Sequence, residues 1–160
     1  MPTLVLVRHA QAAYSYPDHT RPLTDAGVDQ AARLGGVLSR QIGSFDVAVC
    51  SDAVRAQQTF AQISQRVPIH ESWCDRGVYN ADEEDILTLA RSFEGERALI
   101  VGHEPTISGS SYVLAREDDR AEVARGVPTA TALILTFDGP WEKLAPSSAA
   151  LRVALTPPTR

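Results

Sequence analysis

The chain has 160 residues, 44% hydrophobic and 22% charged, a globular composition that excludes a disordered chain. Its formal net charge of −5 argues against the basic face that a nucleic-acid partner needs, and no apolar run is long enough to span a bilayer. No charged-then-hydrophobic leader opens the sequence, so the expected location is cytoplasmic, and the length fits a single domain over residues 1–160. Cys50 and Cys74 lie far apart in the sequence and in no metal-like spacing, which predicts buried free thiols rather than a disulfide.

The first element is the most telling. Leu4 to Val7 is a continuous apolar run rich in β-branched residues, the pattern of a strand covered on both faces, and it ends in Arg8-His9. Gln11 to Pro22 is polar and reads as a loop, with Tyr14 and Tyr16 as candidate lining of a pocket entrance. Thr24 is a good N-cap, and Ala31, Leu34, Leu38 and Ile42 repeat at helical spacing until Gly43-Ser44 stops the helix. A second short strand spans Asp46 to Cys50. Ser51 is an N-cap candidate for the following helix, whose apolar stripe is Ala56, Phe60, Ile63 and Val67. Arg55 sits in the first turn of that helix, off the stripe.

Pro68 to Trp73 gives a weak third strand. Asp82 to Asp85 caps a helix with Ile86, Leu89, Ala90 and Phe93 facing inward. Ala98 to Val101 repeats the opening pattern and runs into Gly102-His103-Glu104-Pro105, with Pro105 suited to the first helical position. Beyond a polar stretch from Arg116 to Arg125, Thr129–Phe137 and Leu151–Thr156 read as late, antiparallel edge strands. The Pro-Pro-Thr-Arg tail reads as loose. Strands alternating with helices predict a three-layer α/β/α sandwich around a mostly parallel central sheet.

In such sheets ligands bind at the carboxyl ends of the strands. Three strands would deliver Arg8, His9, Arg55 and His103 to one edge, provided the strands are neighbours. Two like charges about 4 Å apart repel by about 4 kcal/mol at an effective dielectric near 20. A bound dianion reverses the sign of those terms, and phosphate suits paired guanidinium groups. A neutral imidazole can attack phosphorus, and arginines with a second, protonated histidine can neutralise the transferring group without a metal. The residues alone leave open which histidine attacks.

Arg8-His9, Arg55 and Gly102-His103, each following a strand, resemble the histidine phosphatase superfamily, whose fold is that of phosphoglycerate mutase. The stretches Arg21-Pro22-Leu23-Thr24-Asp25-Ala26-Gly27, Ser51 to Thr59 and Val78-Tyr79-Asn80-Ala81 look most like the small bacterial phosphohistidine phosphatases. The resemblance implies that His9 is the nucleophile, that Arg8, Arg55 and His103 bind the phosphoryl group, and that Arg21 assists. It implies no cofactor and no metal. It also implies a phosphate-bearing substrate, foremost a phosphohistidine protein.

Two positions depart from the family pattern. Ala10 stands where glycine is usual, a small change. No acid sits in an unmistakable place to protonate a leaving oxygen; Asp75, Asp82, Glu83 and Glu104 are the candidates, each more simply a capping or surface residue. That gap fits a phosphoramidate, whose imidazole nitrogen can leave with a solvent proton.

Small phosphate esters, cleaved by a phosphatase or mutase, are the alternative substrates, and a non-catalytic phosphate-recognition module is the lesser alternative. His19 and His70 lack companions at a useful spacing and read as loop or surface residues. A zinc site from His9, His103 and a cysteine would leave two arginines unexplained.

Overall fold

The computed structural model describes residues 1–156; the tail expectation for Pro157 to Arg160 lies outside the described residues. Six strands form one sheet: β1 Thr3–Arg8, β2 Phe45–Ser51, β3 Ile69–Asp75, β4 Arg97–Gly102, β5 Ala132–Thr136 and β6 Ala150–Ala154. Their order is β3-β2-β4-β1-β5-β6. The first four are parallel to one another, and β5 and β6 run antiparallel. β5 lies between β1 and β6, so only the second of the two late strands is an edge, because the long apolar run of β5 needs cover on both sides.

Five helices flank the sheet: α1 Asp25–Gln41, α2 Val54–Ser64, α3 Arg76–Tyr79, α4 Glu83–Arg91 and α5 Thr106–Leu114. Alternate strand residues face opposite layers. Val5, Val7, Ala48, Cys50 and Val101 pack with Leu34 and Leu38 of α1 and Ile63 of α2. Leu4, Leu6, Val47, Val49 and Ile100 pack with Ile86 and Ala90 of α4 and Ile107 and Leu114 of α5. Burying one such leucine or isoleucine side chain contributes about 2 kcal/mol.

The N-cap of α1 is Thr24, whose hydroxyl accepts from Gly27 N–H. Gly27 has a second role: a Cβ there would stand 2.0 Å from Gln11 O, so only glycine lets this helix start against the loop after β1. Asp82 and Asp85 form a reciprocal capping box on α4. Two local expectations fail. Ala53, not Ser51, precedes α2 as its N-cap, and Pro105 is the N-cap of α5 rather than its first residue. The stripe on α2 is also narrower than expected, since Phe60 is half-buried, Val67 lies beyond the helix, and Thr59 fills the gap.

Two strand-end details position the site. Arg8 on β1 is level with Gly102 on β4, and Cys50 on β2 pairs with Val101. With β4 between β1 and β2, the strands before His9, Arg55 and His103 are neighbours and end together. The condition on which the sequence reading rested is met.

Candidate active site

His9 leaves β1 with its backbone N–H on Gly102 O at 3.1 Å, and its ring is 8% exposed. Nδ1 lies 2.7 Å from Ala10 O. A carbonyl can only accept, so Nδ1 carries the hydrogen and Nε2 keeps a lone pair. Ala10 is itself pinned, its N–H donating to Thr59 Oγ1 at 3.0 Å, and its methyl lies wholly inside the core. Burial, with Arg55, Arg8 and Arg21 nearby, lowers the His9 pKa to about 4 against the Ala10 hydrogen bond. His9 is therefore a neutral imidazole near pH 7.

His103 meets His9 with ring centroids 5.3 Å apart. The two imidazoles are direct neighbours at the joined strand ends. The Nε2 atom of His103 lies 2.7 Å from Ser51 Oγ, which also accepts from Ala53 N–H. Burial, then His9 and Arg55, lowers the His103 pKa to about 3. A hydroxyl can donate or accept, so when Ser51 donates to Nε2 the hydrogen of the neutral ring sits on Nδ1. Nδ1 is buried and has no partner. In that tautomer a neutral His103 presents a donor without being protonated.

The guanidiniums repeat this pattern. Arg8 Nη1 donates to Val127 O at 2.7 Å, while Arg8 Nε is buried without a partner. Arg55 is 6% exposed; Nη1 and Nη2 donate to Asp18 O at 2.8 Å and Asp18 Oδ2 at 3.1 Å, and Nε is unpartnered. A buried donor without an acceptor costs about 1–3 kcal/mol. Arg8 Nε, Arg55 Nε and, in that tautomer, His103 Nδ1 come from three neighbouring strand ends beside an imidazole with a free lone pair, an arrangement suited to an anion that accepts several hydrogen bonds.

Arg21 is held one layer out. Its Nε donates to Ala13 O at 2.9 Å and Nη1 to Asp18 Oδ1 at 3.1 Å, and its guanidinium lies 5.5 Å from the Tyr14 ring. Tyr14 and Tyr16 are 98% and 96% exposed, so neither is packed into a pocket wall.

Sequence reasoning missed Asp18. The carboxylate takes hydrogen bonds from Arg55, Arg21 and the Tyr79 hydroxyl, the last at 2.6 Å. The Tyr79 bond foremost, then Arg21 and Arg55, holds the Asp18 carboxyl well below the usual carboxylate range. Tyr79 also stands edge-on to His103 at 5.4 Å and to His19 at 4.9 Å. His19 has companions after all: its Nε2 lies 2.8 Å from Asp52 Oδ1, and Arg76 Nε donates to Asp52 Oδ2 at 2.7 Å. The only signals were an acid among the cations of the loop and the serine next to a strand end.

Three of the acids considered for proton donation are occupied elsewhere. Asp75 accepts from Gly77 N–H, and Asp82 caps α4. Glu104 accepts from Ser108 N–H, Ser108 Oγ and Val127 N–H, which ties α5 to the loop gripping Arg8. Glu83 lies in the first turn of α4.

Comparison with known proteins places the chain in a family. Residues 4–77 match the profile of the histidine phosphatase superfamily (branch 1). The chain is 34% identical over 153 residues to an uncharacterized protein of Mycobacterium tuberculosis, a match covering 91% of this chain and 96% of that one. Among solved structures it is similar to a proposed phosphohistidine phosphatase SixA from Nakamurella multipartitia, with a TM-score of 0.87 and 31% identity over 97% of this chain and 96% of that one. A proposed SixA from Agrobacterium tumefaciens gives a TM-score of 0.76 at 27% identity over 86% and 93%. The chain belongs to the histidine phosphatase superfamily and is a phosphatase.

Proposed function

We propose that the enzyme is a phosphohistidine phosphatase in which His9 is the nucleophile, Arg8, Arg55 and His103 bind the phosphoryl group, and Arg21 assists from the rim. One observation carries this reading: His9 Nε2 keeps a free lone pair, and its neighbours Arg8, Arg55 and His103 each hold a buried nitrogen with no protein partner, Arg8 Nε, Arg55 Nε and His103 Nδ1. The solved relative described as a proposed phosphohistidine phosphatase is consistent with it. The reading takes residues 1–160 as one domain working in the cytoplasm.

In the first step His9 Nε2 attacks phosphorus. The new P–N bond forms as the bond to the substrate imidazole breaks, and the electron pair leaves on that nitrogen, which takes a proton from solvent. Guanidinium N–H groups and His103 Nδ1–H stabilise the equatorial oxygens in both directions. Water then attacks phospho-His9, and its P–N bond breaks to release phosphate and the free imidazole. No protein acid is needed to expel the leaving group, in keeping with the local acids. Asp18, the carboxylate nearest the arginines, is held ionised by Tyr79 and cannot act as a proton donor.

An ester substrate requires that missing acid. The test is turnover of a phosphohistidine peptide beside a panel of sugar and nucleotide phosphates, with acid-labile phosphate trapped on the protein. The phosphoramidate is expected to be the better substrate. His9→Ala is expected to abolish trapping and to lower the rate by at least about 10⁴-fold, while inorganic phosphate still binds. Full activity in His9→Ala would refute the nucleophile assignment, and faster turnover of an ester would refute the substrate class.

A further inference from the structure

The two cysteines, 24 positions apart in the sequence, face each other across the sheet. Cys50 on β2 and Cys74 on β3 are register partners, with Sγ atoms 4.0 Å apart. Both thiols are free, as expected, but only one is buried, because β3 is an edge strand and leaves Cys74 exposed while Cys50 is buried. Directly paired residues on neighbouring strands stand about 5 Å apart at Cα, inside the roughly 4.4–6.8 Å span of a disulfide. Closing the pair takes side-chain rotation rather than movement of the sheet.

Burial, reinforced by Cys74, pushes the Cys50 thiol well above its ordinary pKa, so Cys74 is the sulfur that a soluble oxidant meets. The pair is also coupled to the site. Cys50 Sγ donates to Ser51 O at 3.0 Å, and Ser51 Oγ holds His103 Nε2.

We propose that Cys50 and Cys74 form a peroxide-sensitive dithiol whose closure loosens the Ser51–His103 contact and slows the phosphatase. A peroxide oxidises Cys74: an S–O bond forms, the O–O bond breaks, and the peroxide is reduced to an alcohol or water, leaving a sulfenic acid. The Cys50 sulfur then attacks the Cys74 sulfur. The S–S bond forms, the S–O bond breaks, and hydroxide leaves as water with the Cys50 thiol proton. A dithiol reductant reverses the closure by exchange. Closure removes the thiol donor from Ser51 O and draws Cys50 toward the edge strand. The dithiol is independent of the active-site reading; the effect on rate rests on it.

The test treats the whole protein and Cys74→Ser with hydrogen peroxide and follows intact mass, peptide mapping and phosphatase rate. The expected product is a monomer lighter by two hydrogens, cross-linked between Cys50 and Cys74, the chain's only cysteines. Its rate should fall roughly fivefold, the equivalent of one neutral hydrogen bond, and dithiothreitol should restore it. Cys74→Ser should keep its rate under the same treatment. A chain that only gains oxygen at Cys74, or that cross-links to a second chain, overturns the dithiol. A cross-linked chain with an unchanged rate overturns the coupling and leaves the active-site reading intact. If the untreated chain shows no phosphatase activity, that reading has failed; mass still decides the dithiol, and movement of the His103 ring resonances on oxidation decides the coupling.

Discussion

The floor and the rim of the candidate active site are built on opposite principles. The floor, made of Arg8, His9, Arg55 and His103, hangs from the ends of neighbouring strands, and three of its nitrogens are buried with no acceptor. The rim, made of Asp18, His19, Asp52, Arg76 and Tyr79, sits on short turns and the four-residue helix α3, and its polar groups satisfy one another through an ion pair and hydrogen bonds. Orphaned buried donors mark where a ligand completes the structure. A self-paired, solvated network marks a surface that can exchange partners at little cost. Arg55 joins the two regions, giving two of its donors to Asp18 while holding a third inward.

Substitutions can break or sharpen that contrast. After loss of His9 itself, the largest effect is expected from Arg55→Lys, which keeps a charge but loses the fork that spans rim and floor. A fall of roughly 10²–10³-fold in kcat, with a smaller change in KM, is expected from steady-state rates. An unchanged kcat would assign Arg55 to the rim alone.

The pH profile should separate the two regions next. In the proposed mechanism His9 attacks only when neutral, and burial lowers its pKa to about 4. kcat/KM should therefore stay level on the acidic side of neutrality down to about pH 5 and then fall about tenfold per unit below pH 4. A break near pH 6.5 would mean that the floor is not desolvated.

The same lowering affects stability with a definite sign. Between the ordinary histidine pKa of 6.5 and about 4, the unfolded chain binds the proton that the folded chain refuses, so stability falls as pH drops through that window. The loss is on the order of 3 kcal/mol from His9 alone, readable from denaturant midpoints at pH 7 and pH 4.

Asp18→Asn should produce a smaller, opposite effect. Removing the carboxylate frees Arg55 and Arg21 for an incoming anion, so the inhibition constant of inorganic phosphate should fall about fivefold, near the value of one hydrogen bond. Weaker phosphate binding would make Asp18 a support for Arg55 rather than a competitor. Arg76→Ala should change least. Its side chain is 61% exposed, and its pair with Asp52 is worth at most about 1 kcal/mol, so activity should stay within about twofold.

Much of the floor was legible in the sequence because each of its parts is a local signal. An apolar run that stops at Arg8-His9, and another that stops at Gly102-His103, report a strand end and a pair of donors within a few residues. Thr24 and Asp82 announced their helices in the same way, since a cap bonds within its own first turn. β5 and the cysteine pair were harder, because whether a strand is internal or at an edge depends on neighbours that no local pattern names. The rim was not legible. Asp18 meets Arg55 across 37 positions and Tyr79 across 61.

The sequence by itself determined the strands and their terminal cations, the capped helices, and a set of residues resembling one phosphatase superfamily, because hydrophobic period and capping act over a few residues. Only the tertiary structure decided that β4 lies between β1 and β2. It also decided that Ala10 and Ser51 orient the two imidazoles, that Asp18 faces the arginines, and that Cys50 lies opposite Cys74. Those contacts join distant segments, and they exist only once packing of the two cores has set the strand order and brought the loops to one end of the sheet.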